Sequence, residues 1–341
     1  MRVLQSFPQG RTTTNPYLVQ LERGLRGHVE VNGFSWWRAL TARYDVFHVH
    51  FPEILLKGRT PARTLARRAL FVLLLTRLRM RRTAVVRTRH NLSTHEALSP
   101  REQALLSRFD RYTTLWIRLN PFTPMPPGAP QRTIAIGDYR EWFADHPIPP
   151  SVPGRVLYFG LIRPYKGIDT LIEAFTATAE ATTARAEPSA SEATLRIVGA
   201  PQTQELAHTI GLLAAVDSRI EVSFGYASDA TLAHEIGEAE LVVLPYQEMH
   251  NSAAALLALS LGRPVLVPQN NVTDALASEV GGDWVVRYPG VLSASTLAEA
   301  VALARRPRET ETPTLSARTW TGVVAGHLEA YESAVRVVRS S

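Results

Sequence analysis

The sequence predicts an α/β protein made of two domains, each a parallel sheet wrapped by helices. Three observations point there. Short β-branched runs alternate with longer amphipathic runs, the pattern of βαβ units. That alternation stops in a proline-dense stretch and then starts again. The chain of 341 residues is long for one core.

The elements follow in order. "RVLQSF" reads as a strand, "PYLVQLERGL" as a helix, "HVEVNGF" as a strand, "WWRALTARY" as a helix and "DVFHVHF" as a strand. A basic helix comes next, then the strand "TAVVRTR" and a helix opened by Ser99 and Pro100, a cap residue followed by the residue suited to a first helical position. "NPFTPMPPGAP" and "HPIPPSVPG" cannot continue helices or central strands, so 120–153 reads as a loop-rich crossover. The boundary is expected near Ile148 to Arg155, giving a first domain over 1–150.

In the second domain, over 151–320, "RVLYFGLI", "ATLRIVG", "RIEVSFG", "ELVVLPY", "PVLVP" and "DWVVRY" read as strands. The helices expected between them are "GIDTLIEAFTATAE", "TQELAHTIGLLAAV", "DATLAHEIGEA" and "SAAALLALSLG". Residues 182–193 are low in complexity and read as a surface loop. A closing helix occupies 321–341. Two such domains of similar size are expected to face a central cleft, with chemistry carried by residues just beyond strand ends.

Composition removes several functions. Without cysteine there are no disulfides, thiolate metal sites or thiol nucleophiles. The N-terminus reads as a strand rather than a signal peptide, and no uncharged apolar run is long enough to cross a bilayer. A cytoplasmic protein is expected. The net charge of +6 is concentrated between Lys57 and Arg89, a stretch without Asp or Glu that encloses the apolar block "ALFVLLL". Such a segment suits an anionic membrane surface; it also fits a core helix with a solvated basic edge. Nucleic acid is disfavoured, since no motif for it accompanies the charge.

The second domain carries a candidate anion site. Gly160 ends a strand and is followed by Arg163 and Lys166, a glycine and two cations suited to a diphosphate. Gly199 ends the next strand, where close backbone approach is expected, and Tyr226 follows a third with a ring that can stack on a nucleobase. Asn251, Ser252 and Ala253 open a helix whose unpaired N–H groups favour phosphate. Asn251 and Ser252 also serve as ordinary helix caps, and that alternative stands beside the ligand reading. Four successive strand ends with small or phosphate-competent residues favour a nucleotide-diphosphate site.

"GLIRPYKGIDTLIEAF", "LRIVG", a strand ending "LPY" and a helix leading to "GRPV" resemble the donor domain of GT-B glycosyltransferases. "TTTNPYLVQL", "DVFHVHFPE" and "RTRHNLSTHE" resemble the acceptor domain of the same fold. Within that fold, "HFPE", "RHN…HE" and "NSAAALLALSLGRPV" are most similar to bacterial exopolysaccharide transferases of the GDP-mannose:glycolipid 4-β-mannosyltransferase type. The resemblance implies a sugar, mannose expected, moved from a nucleotide diphosphate to a lipid-linked saccharide at the inner face of the cell membrane.

One departure matters. Many retaining members place two glutamates eight residues apart at the helix before "GRPV", and those positions hold Met249 and Leu257 here. An inverting reaction is therefore expected, with a base on the acceptor domain; a retaining transferase, an epimerase of the same fold and a non-catalytic binding protein remain as alternatives. Glu53 and His90 each follow a first-domain strand and are the candidate bases, with His95 and Glu96 shortly after; Asp138 lies in "IGDYREW", where the resemblance implies a short donor-contacting loop. His90 can also orient or cap, and Glu53 can pair with an arginine of the basic segment. His48 and His50 alternate within a strand and read as packed, and no metal site is expected. Thr14, Asn15 and Asn91 are the acceptor-side candidates, Thr14 or Asn15 doubling as a helix cap. Arg163, Lys166 and the Ser252 helix start are expected to stabilise the leaving diphosphate without a metal cofactor.

Overall fold

The computed structural model describes residues 1–8, 16–90, 98–185, 193–247 and 249–340. Thr14, Asn15, Asn91, His95 and Glu96 lie outside the described residues. The chain divides into two compact units, Met1–Gly137 with Ala317–Ser341, and Asp138–Ser316.

The first unit runs β1 (Arg2–Gln5), α1 (Pro16–Arg26), β2 (Glu30–Asn32), α2 (Trp36–Thr41), β3 (Val46–Val49), a 3₁₀ turn (Pro52–Leu55), α3 (Pro61–Met80), β4 (Ala84–Arg89), α4 (Pro100–Tyr112), β5 (Leu115–Arg118) and β6 (Gln131–Thr133). Among the described residues its sheet is parallel and ordered β2-β1-β3-β4-β5-β6. The second unit runs β7 (Arg155–Phe159), α5 (Ile168–Arg185), β8 (Thr194–Gly199), α6 (Gln204–Ala214), β9 (Ile220–Phe224), α7 (Asp229–Glu238), β10 (Leu241–Val243), α8 (Ala253–Ser260), β11 (Val265–Pro268), α9 (Asn271–Val280), β12 (Val285–Tyr288) and α10 (Ala294–Ala304). Its sheet is ordered β12-β11-β10-β7-β8-β9, again parallel. The chain then returns to the first unit as α11 (Trp320–Ser340).

Strand alternation builds a core on each face of the first sheet. Val3, Val46 and Val86 pack with α1 and α11, whereas Leu4, Phe47 and Val85 pack with the buried face of α3 and with α4. Helices α1 and α11 approach closely at Gly24, where a Cβ would stand 2.5 Å from a Val324 methyl. The α4 start carries the expected cap: the Ser99 hydroxyl accepts from the Glu102 N–H, and the Glu102 carboxylate accepts from the Ser99 N–H.

Two expectations need correction. The domain boundary lies at Gly137/Asp138, not near residue 150, because the crossover is bonded into the second unit. The Tyr139 N–H donates to the Ser260 hydroxyl at 3.0 Å, the Arg140 guanidinium to the Pro313 carbonyl at 2.9 Å and the Trp142 indole to Asp229 at 3.0 Å. The closing helix forms, as α11, but is no unit of its own: Val323, Val324, Ala330, Tyr331 and Ala334 belong to the first unit's core. Strands β5 and β6 and helices α9 and α10 were not among the sequence-based expectations, β6 being three exposed residues beside the prolines.

Both sheets reverse strand order beside their first strand, at β1/β3 and at β7/β10. Such switch points open crevices at strand C-terminal ends, where ligands bind.

Candidate active site

At the second unit's switch point, the loop after β7 and the loop after β10 are joined. Arg163 opens a 3₁₀ turn (Pro164–Lys166) that ends on Gly167 with φ +62°, and a Cβ at Gly167 would lie 2.3 Å from the Pro245 carbonyl oxygen. Only glycine permits that contact in that conformation. The Gln247 N–H donates to the Tyr165 carbonyl at 3.0 Å, and the Lys166 ammonium donates to the Tyr246 hydroxyl at 2.9 Å while lying 4.3 Å from its ring centre. Burial, and then the neighbouring Arg163, lower Lys166 to about 8. Burial raises the Tyr246 phenol, so that hydroxyl stays protonated.

Gly160, at φ +116°, leaves space beside the ammonium: a Cβ there would be 3.8 Å from Lys166 Nζ. Arg163, Tyr165, Asp169, Thr209 and Gln247 line a cavity of about 440 Å³. Beyond Gln247 the Ser252 hydroxyl caps α8, accepting from the Ala255 N–H at 3.0 Å, and Ala253 is exposed at the helix start. Asn251 is half-buried in the same loop, and the Asn270 amide donates to the Met249 carbonyl at 2.9 Å, tying that loop to the cap of α9. Leu257 is buried and offers no polar group.

The other two donor-side candidates differ sharply in setting. The space a Gly199 side chain would fill holds the Gly160 carbonyl oxygen, 1.8 Å from the Cβ position, so this glycine serves the packing of two strand ends. Tyr226 is 80% exposed and follows Gly225 at φ +137°. Asp138 is buried and its carboxylate accepts from the Arg140 N–H at 3.0 Å.

In the first unit, Glu53 and His90 line one pocket of about 270 Å³, together with His50, Arg87, Arg89 and Trp116. The parallel register pairs His48 with Val86 and Val49 with Arg87. Residues following β3 and β4 therefore emerge at one sheet end, and His50 Nδ1 lies 2.9 Å from His90 Nε2. His90 stacks on Phe51 at 4.5 Å, and Tyr17 meets its edge. Burial lowers His90 to about 3 and holds His50 well below the usual imidazole range, so both rings are neutral near pH 7. Glu53 bears on Arg87, whose guanidinium pairs with Asp110 and lies 4.7 Å from the Trp116 ring centre. Burial brings that arginine down to about 10.

Beneath the pocket runs a buried polar chain that the sequence does not announce. The Gln5 amide donates to the Tyr331 hydroxyl at 3.4 Å; Tyr331 lies 2.7 Å from His48 Nδ1, and His48 Nε2 lies 2.8 Å from the Thr88 hydroxyl. When the Tyr331 hydroxyl donates to His48 Nδ1, the single proton of the neutral imidazole sits on Nε2 and is donated to the Thr88 hydroxyl. His48 is thus packed, as its strand position predicts, and His50 is buried too but also reaches the pocket.

Helix α3 explains part of the basic segment. Phe71, Leu74, Leu75 and Leu78 are buried, Arg68 pairs with Glu102 at 3.1 Å, Arg67 donates to the Lys57 carbonyl, and Arg77 donates to carbonyls of Leu40 and Ala42. Its other face exposes Leu65, Leu73 and Met80, with Trp37 exposed on the adjoining α2. No helix among the described residues is long and apolar enough to cross a membrane.

A family model described as "Glycosyl transferases group 1" matches residues 153–304, within the second unit. The chain is 41% identical over 333 residues to GDP-mannose:glycolipid 4-β-D-mannosyltransferase of Xanthomonas campestris pv. campestris, covering 98% of this chain and 92% of the relative. In fold it is similar to sucrose-phosphate synthase of Thermosynechococcus elongatus, with TM-score 0.62, 14% identity and full coverage of both chains. It is also similar to HepE of Anabaena in complex with UDP-glucose, with TM-score 0.60 and 13% identity over 100% of this chain and 98% of the other.

Proposed function

The chain belongs to the family of the GDP-mannose:glycolipid 4-β-D-mannosyltransferases, glycosyltransferases of GT-B fold, and on that premise we propose that it transfers mannose from GDP-mannose to a hydroxyl of a lipid-linked saccharide, with inversion. The observation that carries the donor half is the docking of the Arg163–Gly167 turn on Pro245–Gln247. That contact holds a guanidinium and an ammonium at a strand-order reversal, in the loops that lead into α5 and α8. Arg163, Lys166 and the α8 start take up the charge that collects on the leaving diphosphate, with no metal required. Gly160 leaves room for that group, and Tyr226 supplies an open aromatic face for the base. Asn251 and Ala253 line the approach to the α8 N–H groups.

Two points support inversion. A β-mannoside made from the α-linked donor needs attack from the face opposite the diphosphate. The paired glutamates of many retaining relatives, the second of which holds the donor ribose, are replaced by Met249 and Leu257, both buried. His90 is the general base: a neutral imidazole in a pocket accepts the hydroxyl proton while the oxygen bonds the anomeric carbon and the carbon–oxygen bond to the diphosphate breaks, its electron pair leaving with GDP. Glu53, across that pocket from Arg87, orients the acceptor sugar.

The acceptor's lipid fixes the setting. Leu65, Leu73, Met80 and Trp37 form an apolar face edged by Arg63, Arg81 and Arg82, chemistry that suits the anionic inner face of the cell membrane during exopolysaccharide assembly.

Incubation of GDP-mannose with a polyprenyl-diphosphate saccharide should give a β-mannosylated lipid by NMR, and thermal shift should favour GDP over UDP, ADP and dTDP. An α-linked product, or a preference for another nucleotide, would overturn the assignment. Liposome binding tests the membrane face. Arg81→Glu with Arg82→Glu should release the protein from anionic vesicles, whereas changes at Arg67 or Arg68 would also break internal contacts. Unaltered binding would remove the membrane reading.

A further inference from the structure

We propose that Arg67, backed by Thr64, is a positioning residue for the acceptor: from α3 it fixes the turn that sets Glu53 in the pocket wall. The inference rests on Glu53 as the group that orients the acceptor sugar, and it names what holds that group in place.

The 3₁₀ turn Pro52–Leu55 is anchored to α3 on two sides. Leu55 and Leu56 are buried and pack in the cluster that holds Phe71, Leu74 and Leu75. They set the depth of the turn but not its C-terminal end, because so short a turn leaves its last carbonyls without partners of its own. The Leu56 N–H returns to the Glu53 carbonyl at 3.1 Å. The carbonyls of Lys57 and Ile54 go to Arg67 instead: its Nη1 donates to Lys57 and, more weakly at 3.4 Å, to Ile54.

A second tether lies one helical turn earlier. The Gly58 N–H donates to the Thr64 hydroxyl at 3.0 Å, which in turn donates to the Thr60 carbonyl at 3.0 Å. Glycine allows that approach, since a Cβ at Gly58 would stand 2.7 Å from the Arg63 carbonyl carbon. The segment from Glu53 to Gly58 therefore lies along the first turns of α3, and Glu53 keeps its place in the pocket it shares with Arg87. Arg67 belongs to the basic stretch, yet among the described residues its recorded partners are two backbone carbonyls and no carboxylate. Its charge is turned inward, onto the turn. Removing the donor leaves those carbonyls unmet, and a turn of 4 residues shifts more readily than a helix of 20. The same helix exposes Leu65 and Leu73, so the element offered to lipid also sets the wall that receives the saccharide.

Arg67→Met keeps the apolar stem and loses the donor. With GDP-mannose and a polyprenyl-diphosphate saccharide, it should raise the acceptor KM about tenfold and leave kcat within about twofold. GDP affinity and binding to anionic vesicles should match wild type. Arg67→Lys, which keeps a shorter donor, should bring the acceptor KM back to within about threefold. A double-mutant cycle tests whether Arg67 acts through Glu53: Glu53→Ala should raise the acceptor KM by itself, and adding Arg67→Met should raise it no further. An unchanged KM in Arg67→Met, even with a lowered Tm, would overturn the proposal. So would no rescue by lysine, loss of vesicle binding, or a further rise of about tenfold in the Glu53→Ala background. If the methionine variant does not fold, Thr64→Val loosens the same segment at Gly58 and takes its place in the cycle, where it should raise the acceptor KM only when Glu53 is present. An acceptor KM unaltered in Glu53→Ala alone would instead remove the Glu53 assignment, and the proposal with it, a result distinct from failure of the cycle.

Discussion

Nucleotide binding should depend on the protonation of Lys166, in a pH range where most lysines stay charged. Its ammonium is held at 2.9 Å from the Tyr246 hydroxyl, and burial with the adjacent Arg163 brings it from 10.5 to about 8. The charged form binds diphosphate, so raising the pH through 8 in the free protein removes a charge that binding must restore. A bound diphosphate favours the charged form and keeps the lysine protonated to higher pH. From pH 7 to pH 9 the charged fraction of the free site falls about tenfold, so the GDP dissociation constant should rise about tenfold, or ~1.4 kcal/mol. Isothermal titration calorimetry at fixed ionic strength measures this, since salt screens the same attraction. Lys166→Arg keeps a permanent charge and should flatten the profile. A wild-type profile flat over that range, or one equally steep in the arginine variant, would refute the reasoning.

Gly167→Ala should lift the cationic turn from Pro245: left-handed backbone costs an alanine about 1–2 kcal/mol, before the 2.3 Å contact is relieved. GDP affinity should fall at least about tenfold by titration, in line with a loss of that size. Acid should destabilise the first unit, because His48, His50, His90 and His327 are all held below the usual 6.5 by burial. As pH drops below 6.5 the unfolded chain takes up protons that the folded chain refuses, so stability present above 6.5 is lost by up to about 1.4 kcal/mol per histidine per pH unit. Urea titrations at pH 7.5 and 5.5, with hydrogen exchange to resolve the first unit, check the slope. Tyr331→Phe removes the hydroxyl between Gln5 and His48 and should cost about 1–3 kcal/mol, read as a lower Tm for the first unit.

The alternation of short β-branched runs with amphipathic runs was enough to place most strands and helices, because burial on both faces of a parallel sheet leaves a local mark. β5 and β6 were hidden by the prolines around 120–130, and α9 and α10 by short segments in which alanine and serine dilute the periodicity. Gly160, Arg163 and Lys166 stood out in "YFGLIRPYK", a glycine at a strand end with two cations after it, whereas Gly167 did not, because its need for glycine comes from the Pro245 carbonyl on a distant loop. Tyr246 did not, because its role depends on a lysine 80 positions away. The domain boundary was misread for a related reason: proline density marks a loop, but only the bonds of Tyr139, Arg140 and Trp142 show which core that loop joins.

The amino-acid order by itself determined the fold class, the doubled α/β architecture, the cationic turn after β7 and the basic character of α3, all properties written within a dozen neighbouring residues. Tertiary structure alone decided that α11 closes the first core, that Gly199 serves the Gly160 carbonyl, and that His50 faces His90 across 40 positions of chain. Parallel strands pair through crossovers, so which side chains meet at a sheet end is set by strand order and register, and no local pattern records either.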